Sequence, residues 1–574
     1  MFRFLDFEFL DSNLRFFFVP GFGLADHRVP CPRGKIFGGS HAINNAGYTR
    51  GNFRDYDAWE SVYGATGWNY RTLLPYFLRT ENNTDPAVVA AAPRFHSTTG
   101  PLEISTPPNL DPIIGRWLNA VQQLGWPLSD YGNLEQQFGV TVLQCTQSAT
   151  NWTRQTTASA YVEVNIARPN LHVLLHAHVT RVLFEGDSSS SNTTSNTTTP
   201  PTATGVEYVR PDDEGNRTYT VSARREVILS AGSINSPQIL MLSGIGHQDH
   251  LSSLGIATRV ELPVGDNLAE HFLVPFDFLV TNASDIGYGR HLYYNLNAAN
   301  LYAFFTNASG PLQRLPFMET YIGTGVNGNT DWPDGVLYML INQGRRIFEK
   351  LQNLFLFLFL LTIPPPFPVS PSVDAVIDSY DQSRREEWRQ YLTQFVNDDR
   401  HIWVGISMFR PLSRGTVRLA SSDPLRYPLI DPAYFSVTQD MVASVKTIST
   451  GFKIIESPYF APYVQYSALP LPGCSFCTDG RPMSQCASYL TCALQTYTLT
   501  TYHPVGSNRM GNASSADAVV DERLRVRGVS RLRVIDSSVM PLMPNANPNA
   551  ATMMLAERAV DILREDAAAV AVAG

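Results

Sequence analysis

The chain has 574 residues, with 43 Lys+Arg against 51 Asp+Glu for a net charge of −8, and is 44% hydrophobic but only 16% charged. That apolar fraction excludes a disordered chain, and an acidic balance without a basic patch argues against a nucleic-acid binder. With 39 Gly, 39 Pro and 6 Cys the composition fits neither collagen nor a disulfide scaffold, leaving a large globular protein of enzyme size.

Met1–Phe18 is apolar but interrupted by Asp6, Glu8, Asp11 and Arg15, so it lacks the clean apolar centre of a signal peptide. Phe16–Val19 reads as a strand leading into Gly21-Phe22-Gly23-Leu24-Ala25-Asp26. Pro30 and Pro32 follow where a helix would be needed to seat a pyrophosphate. Val179–Phe184 and Gly205–Val209 read as strands joined by the polar low-complexity stretch Ser188–Thr204, a hairpin. Arg225–Ser230 is a short apolar strand followed at once by Ala231-Gly232 and the helical run Ser236–Leu242. There Ser236 is expected as N-cap, Pro237 in the first turn and Gly244 at the stop. Leu354–Leu361 is too short to span a bilayer, which takes about 20 residues. Leu354–Ser372, with its Pro-rich tail, reads as an insertion foreign to its surroundings. The last helix is expected over Ala550–Arg564, with Met554, Leu555, Ala559, Ile562 and Leu563 on its buried side and Asp566–Gly574 as a fraying tail. Strand, glycine turn, then helix argues α/β or α+β, and no internal repeat is present.

Eight Asn-x-Ser/Thr sequons (Asn82, Asn151, Asn192, Asn196, Asn216, Asn282, Asn307 and Asn512) leave a secreted and an intracellular location both open. Cys474, Cys477, Cys486 and Cys492 fall close together. Their irregular steps suit a local disulfide or loop thiols better than a structural zinc.

Three segments carry chemistry. Arg33-Gly34-Lys35-Ile36-Phe37-Gly38-Gly39-Ser40-His41-Ala42-Ile43-Asn44-Asn45-Ala46-Gly47-Tyr48-Thr49-Arg50-Gly51 has adjacent glycines whose backbone can approach a flat ring or pyrophosphate closely. Gly232-Ser233-Ile234-Asn235-Ser236-Pro237 through Ser243-Gly244-Ile245-Gly246 is a well-punctuated helix. Thr501-Tyr502-His503-Pro504-Val505-Gly506-Ser507-Asn508-Arg509-Met510-Gly511 places a histidine beside a proline in a glycine-rich loop, a suitable general base. Val534-Ile535-Asp536 and Asn545-Ala546-Asn547-Pro548-Asn549 follow it.

Together these segments resemble the glucose–methanol–choline (GMC) family of FAD-dependent oxidoreductases. The second fits that family's G-x-x-x-S-P-x-hydrophobic-hydrophobic-x-x-S-G-hydrophobic-G signature at every constrained position. The first departs from its own signature at Phe37 and His41. Gly67-Trp68-Asn69-Tyr70, Val264-Gly265-Asp266-Asn267-Leu268 with His271, and Arg410-Pro411-Leu412-Ser413-Arg414-Gly415 follow in family order. The resemblance runs from about Val19 to Asp566, and aryl-alcohol and choline-type alcohol oxidases or dehydrogenases look closest.

The resemblance implies oxidation of an alcohol to a carbonyl, with hydride passed to flavin N5, His503 as base and Asn547 as its partner. Flavin contacts carry over to Ser40, Asn44, Asn45, Gly47, Val179, Asp536 and Pro548. Some members tether the flavin through a histidine where this chain has Ile43, so non-covalent FAD is expected, with O₂ or a quinone as electron acceptor and no metal, nucleic acid or membrane partner. The implied fold is α/β + α+β: a Rossmann-like FAD-binding domain (19–110, 160–272 and 500–566) whose N-terminal βαβ unit is expected to be missing. An antiparallel-sheet substrate-binding domain (111–159 and 273–499) completes it, with 354–372 as an insertion. The rival readings are a catalytically inactive flavoprotein remnant and a hydroxynitrile-lyase-like member using the same histidine without net redox.

Overall fold

The computed structural model describes residues 15–17, 29–187 (except 109, 131 and 134), 199–210, 217–285, 306, 320–324, 332–333, 335–341, 384–396 and 400–573. Met1–Leu14, Gly21–Asp26, Leu354–Ser372 and the sequons at Asn192, Asn196, Asn216 and Asn307 lie outside the described residues.

Strand β1 (Arg15–Phe17) pairs antiparallel with β2 (Pro30–Pro32). Helix α1 (Phe53–Ser61) starts with a capping box. Asn52 Oδ1 accepts from Arg54 N at 3.0 Å, and Asn52 N donates back to Asp55 Oδ2 at 2.9 Å. Asn69 caps α2 (Tyr70–Thr80) by accepting from Thr72 N. Between them Tyr56, Trp59, Trp68 and Phe77 are fully buried. Arg50 and Glu81, both wholly enclosed, form an ion pair that His96 extends to Asp130.

The expected hairpin forms: β3 (His178–Phe184) pairs antiparallel with β4 (Ala203–Val209), and β5 (Thr218–Ser222) adds to its far side. Strand β6 (Val227–Leu229) leads into α3 (Gly232–Leu242). The helix begins four residues before the expected cap. Ser236 is not its N-cap but an interior residue that accepts from Ala231 N at 3.0 Å and donates to Asp536 Oδ2 at 2.5 Å. Asp536 Oδ2 also accepts from Gly232 N at 2.9 Å, so a carboxylate from the far end of the chain receives the first helical N–H. Pro237 therefore lies inside the helix rather than in its first turn. The Ser233 carbonyl that it leaves without an intrahelical donor accepts from Ser507 Oγ at 2.5 Å. Gly244, with φ +81°, ends the helix as expected.

The middle of the chain builds an antiparallel sheet from β7 (Phe272–Val280), β8 (Thr320–Thr324), β9 (Gly335–Ile341) and β10 (His401–Met408) in the order β8-β9-β10-β7. Helix α4 (Thr438–Ile455) packs on it, with Gly451 so close that a Cβ would stand 3.0 Å from the Ile406 side chain. Strand β11 (Val464–Tyr466) adds beyond β7. Helix α5 (Ala487–Tyr497) is held by two disulfides, Cys474–Cys492 and Cys477–Cys486, so the four clustered cysteines are the local disulfides that their spacing allowed. Strand β12 (Leu499–Thr500) pairs with the start of β7.

Strand β13 (Leu532–Val534) runs parallel to β6, setting Asp536 at the start of α3. Helix α6 (Pro548–Ala573) buries Met554, Leu555, Ala559 and Ile562. It does not fray at Asp566 but continues to Ala573, because alanine is the strongest helix former even where Val570 and Val572 face solvent. Among the described residues no helix is long and apolar enough to cross a membrane.

Candidate active site

His503 follows Tyr502, whose φ of +65° lies in the left-handed region that a tyrosine adopts only when its surroundings enforce it. Tyr502 N donates to Thr500 Oγ1 at 2.8 Å, and Arg33 Nη1 donates to the Tyr502 carbonyl at 2.7 Å. His503 N then donates to Glu270 Oε1 at 2.8 Å, and Val505 exchanges both backbone hydrogen bonds with Ala269. The loop is thus fastened to the residues just before β7.

The half-buried His503 ring meets partners at both nitrogens. Nδ1 lies 3.1 Å from His271 Nδ1 and 2.9 Å from Thr501 Oγ1, while Nε2 lies 3.1 Å from Asn547 Nδ2. Asn547 is oriented by Thr49: Asn547 N donates to Thr49 Oγ1 at 3.0 Å, and the Thr49 hydroxyl donates to Asn547 Oδ1 at 3.0 Å. With its carbonyl end committed to Thr49, the amide turns its NH₂ toward the imidazole. The Asn545–Asn547 turn is braced in the same way. Asp55 accepts from Asn545 N and from Trp332 Nε1, each at 2.8 Å, and Arg410 lies 3.6 Å over the Trp332 ring.

Burial, then His271 and Arg33, pushes the pKa of His503 well below the ordinary histidine value, so the imidazole is neutral near pH 7. Burial pushes Glu270 up to about 8, and its Oε2 has no hydrogen-bond partner among the described residues to solvate a full charge. Asp536, also raised by burial, is opposed by donors from Ser236, Ser538 and Gly232.

The structure brings His503 and Asn547 together. Asp536 forms a second node, joined to the first because Gly506 N and Asn508 N donate to the Ser537 and Ser538 carbonyls. Pro548 opens α6 directly after Asn547. Ser40 Oγ accepts from Gly34 N, and Asn44 Oδ1 accepts from Ala46 N and Arg154 Nη1. Asn45 is exposed, and Gly47 bridges Cys145. This segment reaches the first node through Thr49, whereas Val179, half-buried on β3, belongs to neither node. His41, one of the two departures from the first signature, is a packed residue: its Nδ1 accepts from Thr157 N and its Nε2 donates to Thr146 Oγ1. Glu270 and Phe409 have no signal in residue pattern, and Thr49 and Thr501 lie inside chemical segments that give them no role. His271 lay in a quoted motif but had no role there.

The implied FAD can be tested against the residues. Asn549 Nδ2, in the first turn of α6 and two residues after Asn547, is a buried donor without a partner among the described residues. Gly39 and Gly232 have positive φ and leave open space where a Cβ would stand. An unpaired donor at a helix start and two open glycine backbones suit a flat ring system with an electron-rich carbonyl edge and a phosphate-bearing tail, so the residues fit FAD. Among the described residues no group of three His, Cys, Asp or Glu is placed to hold a metal ion.

Known proteins similar to this chain fall in one family. Family models described as GMC oxidoreductase match residues 22–273 and 411–556. The chain is 30% identical over 544 residues to oxygen-dependent choline dehydrogenase 1 of Chromohalobacter salexigens, covering 94% of this chain and 82% of that protein. It is 30% identical over 561 residues to an alcohol dehydrogenase (acceptor) of Pseudomonas putida, covering 96% and 85%. An FAD-dependent oxidoreductase from Chaetomium thermophilum shares the fold with a TM-score of 0.73 at 23% identity, over 96% of this chain and 89% of that one. The fold is therefore the two-part α/β + α+β arrangement, in which the parallel pair β6–β13 and helix α3 accompany a mainly antiparallel sheet.

Proposed function

This chain belongs to the GMC oxidoreductase family, whose cofactor is FAD, and we propose that it oxidises an alcohol to a carbonyl with His503 as general base. FAD, when bound, supplies the acceptor for the two electrons that leave the alcohol carbon. The observation that carries the reading is a neutral imidazole facing an oriented amide, His503 Nε2 and Asn547 Nδ2 being 3.1 Å apart. An alcohol hydroxyl bound at this pair gives its proton to Nε2 while its oxygen accepts from Asn547 Nδ2, so negative charge develops against a fixed donor.

Ser40, Asn44, Asn45 and Gly47 would hold the cofactor from one side, Asp536 and Pro548 from the isoalloxazine end and Val179 near the adenine. Ile43, 45% exposed and without a nucleophilic atom, leaves the flavin non-covalent. The proposed cofactor domain is 19–110, 160–272 and 500–566, and the proposed substrate domain is 111–159 and 273–499. The substrate is a small alcohol and the final electron acceptor O₂ or a quinone. Anaerobic mixing with candidate alcohols tests the reading: bleaching of the visible flavin absorbance is expected. A yellow protein that no alcohol bleaches but that cleaves a cyanohydrin would instead support the lyase reading.

We further propose an oxidising, secretory location. Two disulfides support it, as do the exposed sequon residues Asn151 and Asn282, whereas Asn82 and Asn512 are half-buried. Glycosidase treatment of protein from a eukaryotic host should remove glycans from Asn151 and Asn282, and unglycosylated protein would count against this location.

A further inference from the structure

We propose that His271 is a positioning residue that holds His503 in the tautomer with Nδ1 protonated and Nε2 bare, and so decides which nitrogen is the base; this rests on His503 acting as base. His271 immediately precedes β7 and Phe409 immediately follows β10, and the antiparallel register Phe272↔Met408 sets the two residues opposite one another. The fully buried His271 ring stacks on Phe409 at 4.2 Å with planes 5° apart, and its Nε2 lies 3.0 Å from the Phe409 carbonyl oxygen.

A carbonyl oxygen only accepts, so His271 Nε2 carries a proton and donates it there. Burial pushes the pKa of His271 down to about 3, so the ring is neutral and its Nδ1 is a bare lone pair. That lone pair lies 3.1 Å from His503 Nδ1. Two bare nitrogens at this separation would repel, so His503 Nδ1 carries the proton and donates it to His271, with Thr501 Oγ1 at 2.9 Å as a second acceptor. His503 is itself neutral, which leaves Nε2 bare and facing the Asn547 NH₂. Starting from one backbone carbonyl, each hydrogen bond dictates the next. When Nε2 takes the hydroxyl proton, the O–H bond breaks and an N–H bond forms. The Nδ1–H bond to His271 persists, so the imidazolium keeps an acceptor.

The experiment uses the full-length, FAD-loaded chain with His271→Leu, which removes the acceptor, and His271→Asn, whose Oδ1 can accept in place of Nδ1. His271→Leu is expected to lower the limiting rate of anaerobic flavin reduction about 10- to 100-fold with alcohol affinity within about twofold of wild type, and His271→Asn to recover most of the rate. Equal losses in both variants would mark a merely structural role and overturn the proposal. The second readout needs no turnover: ¹⁵N spectra of ring-labelled histidine should show His503 with bare Nε2 in the wild type and mixed or reversed in His271→Leu. A wild-type ring protonated at Nε2, or an unchanged tautomer in His271→Leu, would overturn the proposal. His503→Ala separates the two ideas: if it retained flavin reduction the base assignment would fail, and the spectra alone would decide the tautomer.

Discussion

Replacing Asn547 by Asp preserves side-chain size but exchanges an amide donor 3.1 Å from His503 Nε2 for a carboxylate oxygen. With an effective dielectric of about 20, a carboxylate and an imidazolium at this separation of 3.1 Å attract by about 5 kcal/mol. At about 1.4 kcal/mol per pH unit, that is an upward pKa shift of at most about 4 units. Burying the new charge opposes part of this, while Thr49 remains to donate to it, leaving a net rise of about 2 units. In the wild type the histidine lies well below its ordinary pKa, so the rate of flavin reduction should be flat across neutral pH. In Asn547→Asp the imidazolium persists to higher pH with Nε2 already occupied. The rate should therefore fall toward the acid end of the profile and climb to a plateau as pH rises and the base is freed. Anaerobic stopped-flow reduction from about pH 5 to about pH 9 reads this directly. A variant with the wild-type rate and a flat profile would show that position 547 does not face the base.

The raised pKa of Glu270, about 8, means the folded chain keeps a proton that the unfolded chain loses near its ordinary value of about 4.3. Stability should therefore fall as pH rises from about 4.3 to about 8, with a slope approaching 1.4 kcal/mol per unit, and level off above. Urea unfolding of Glu270→Gln should lack that slope, and an identical slope would refute the assignment. Glu81→Gln leaves Arg50 charged in a fully enclosed site and should cost about 3–5 kcal/mol in chemical denaturation; a loss under about 1 kcal/mol would mean the pair is not buried in solution. Opening Cys474–Cys492, which closes a loop of 18 residues, by Cys474→Ser with Cys492→Ser should cost about 3 kcal/mol, and unchanged thermal unfolding would deny the crosslink.

Local punctuation was legible where it depended on backbone preference. The β3–β4 hairpin, the strand before α3 and the glycine after it follow from alternation and left-handed turns, which neighbouring residues settle. The start of α3 was not legible, because Asp536, 300 residues from Ser236, takes the hydroxyl that would otherwise cap the helix. The end of α6 is not legible either, because an alanine run resembles a loose tail, although alanine favours helix with or without packing.

By itself, the sequence determined the family, through three ordered signatures, and with it the pairing of His503 with Asn547. Residue type and short spacing also marked the four clustered cysteines as a local set. Only the tertiary structure decided which cysteines join, because three pairings of four cysteines are equally compatible with the sequence. Only it placed Thr49 against Asn547 across 498 positions and His271 against His503 across 232. The physical reason is that these contacts depend on the register of strands that are distant along the chain. Phe409 meets His271 because β7 and β10 align Phe272 with Met408, and no local preference of either segment encodes that alignment.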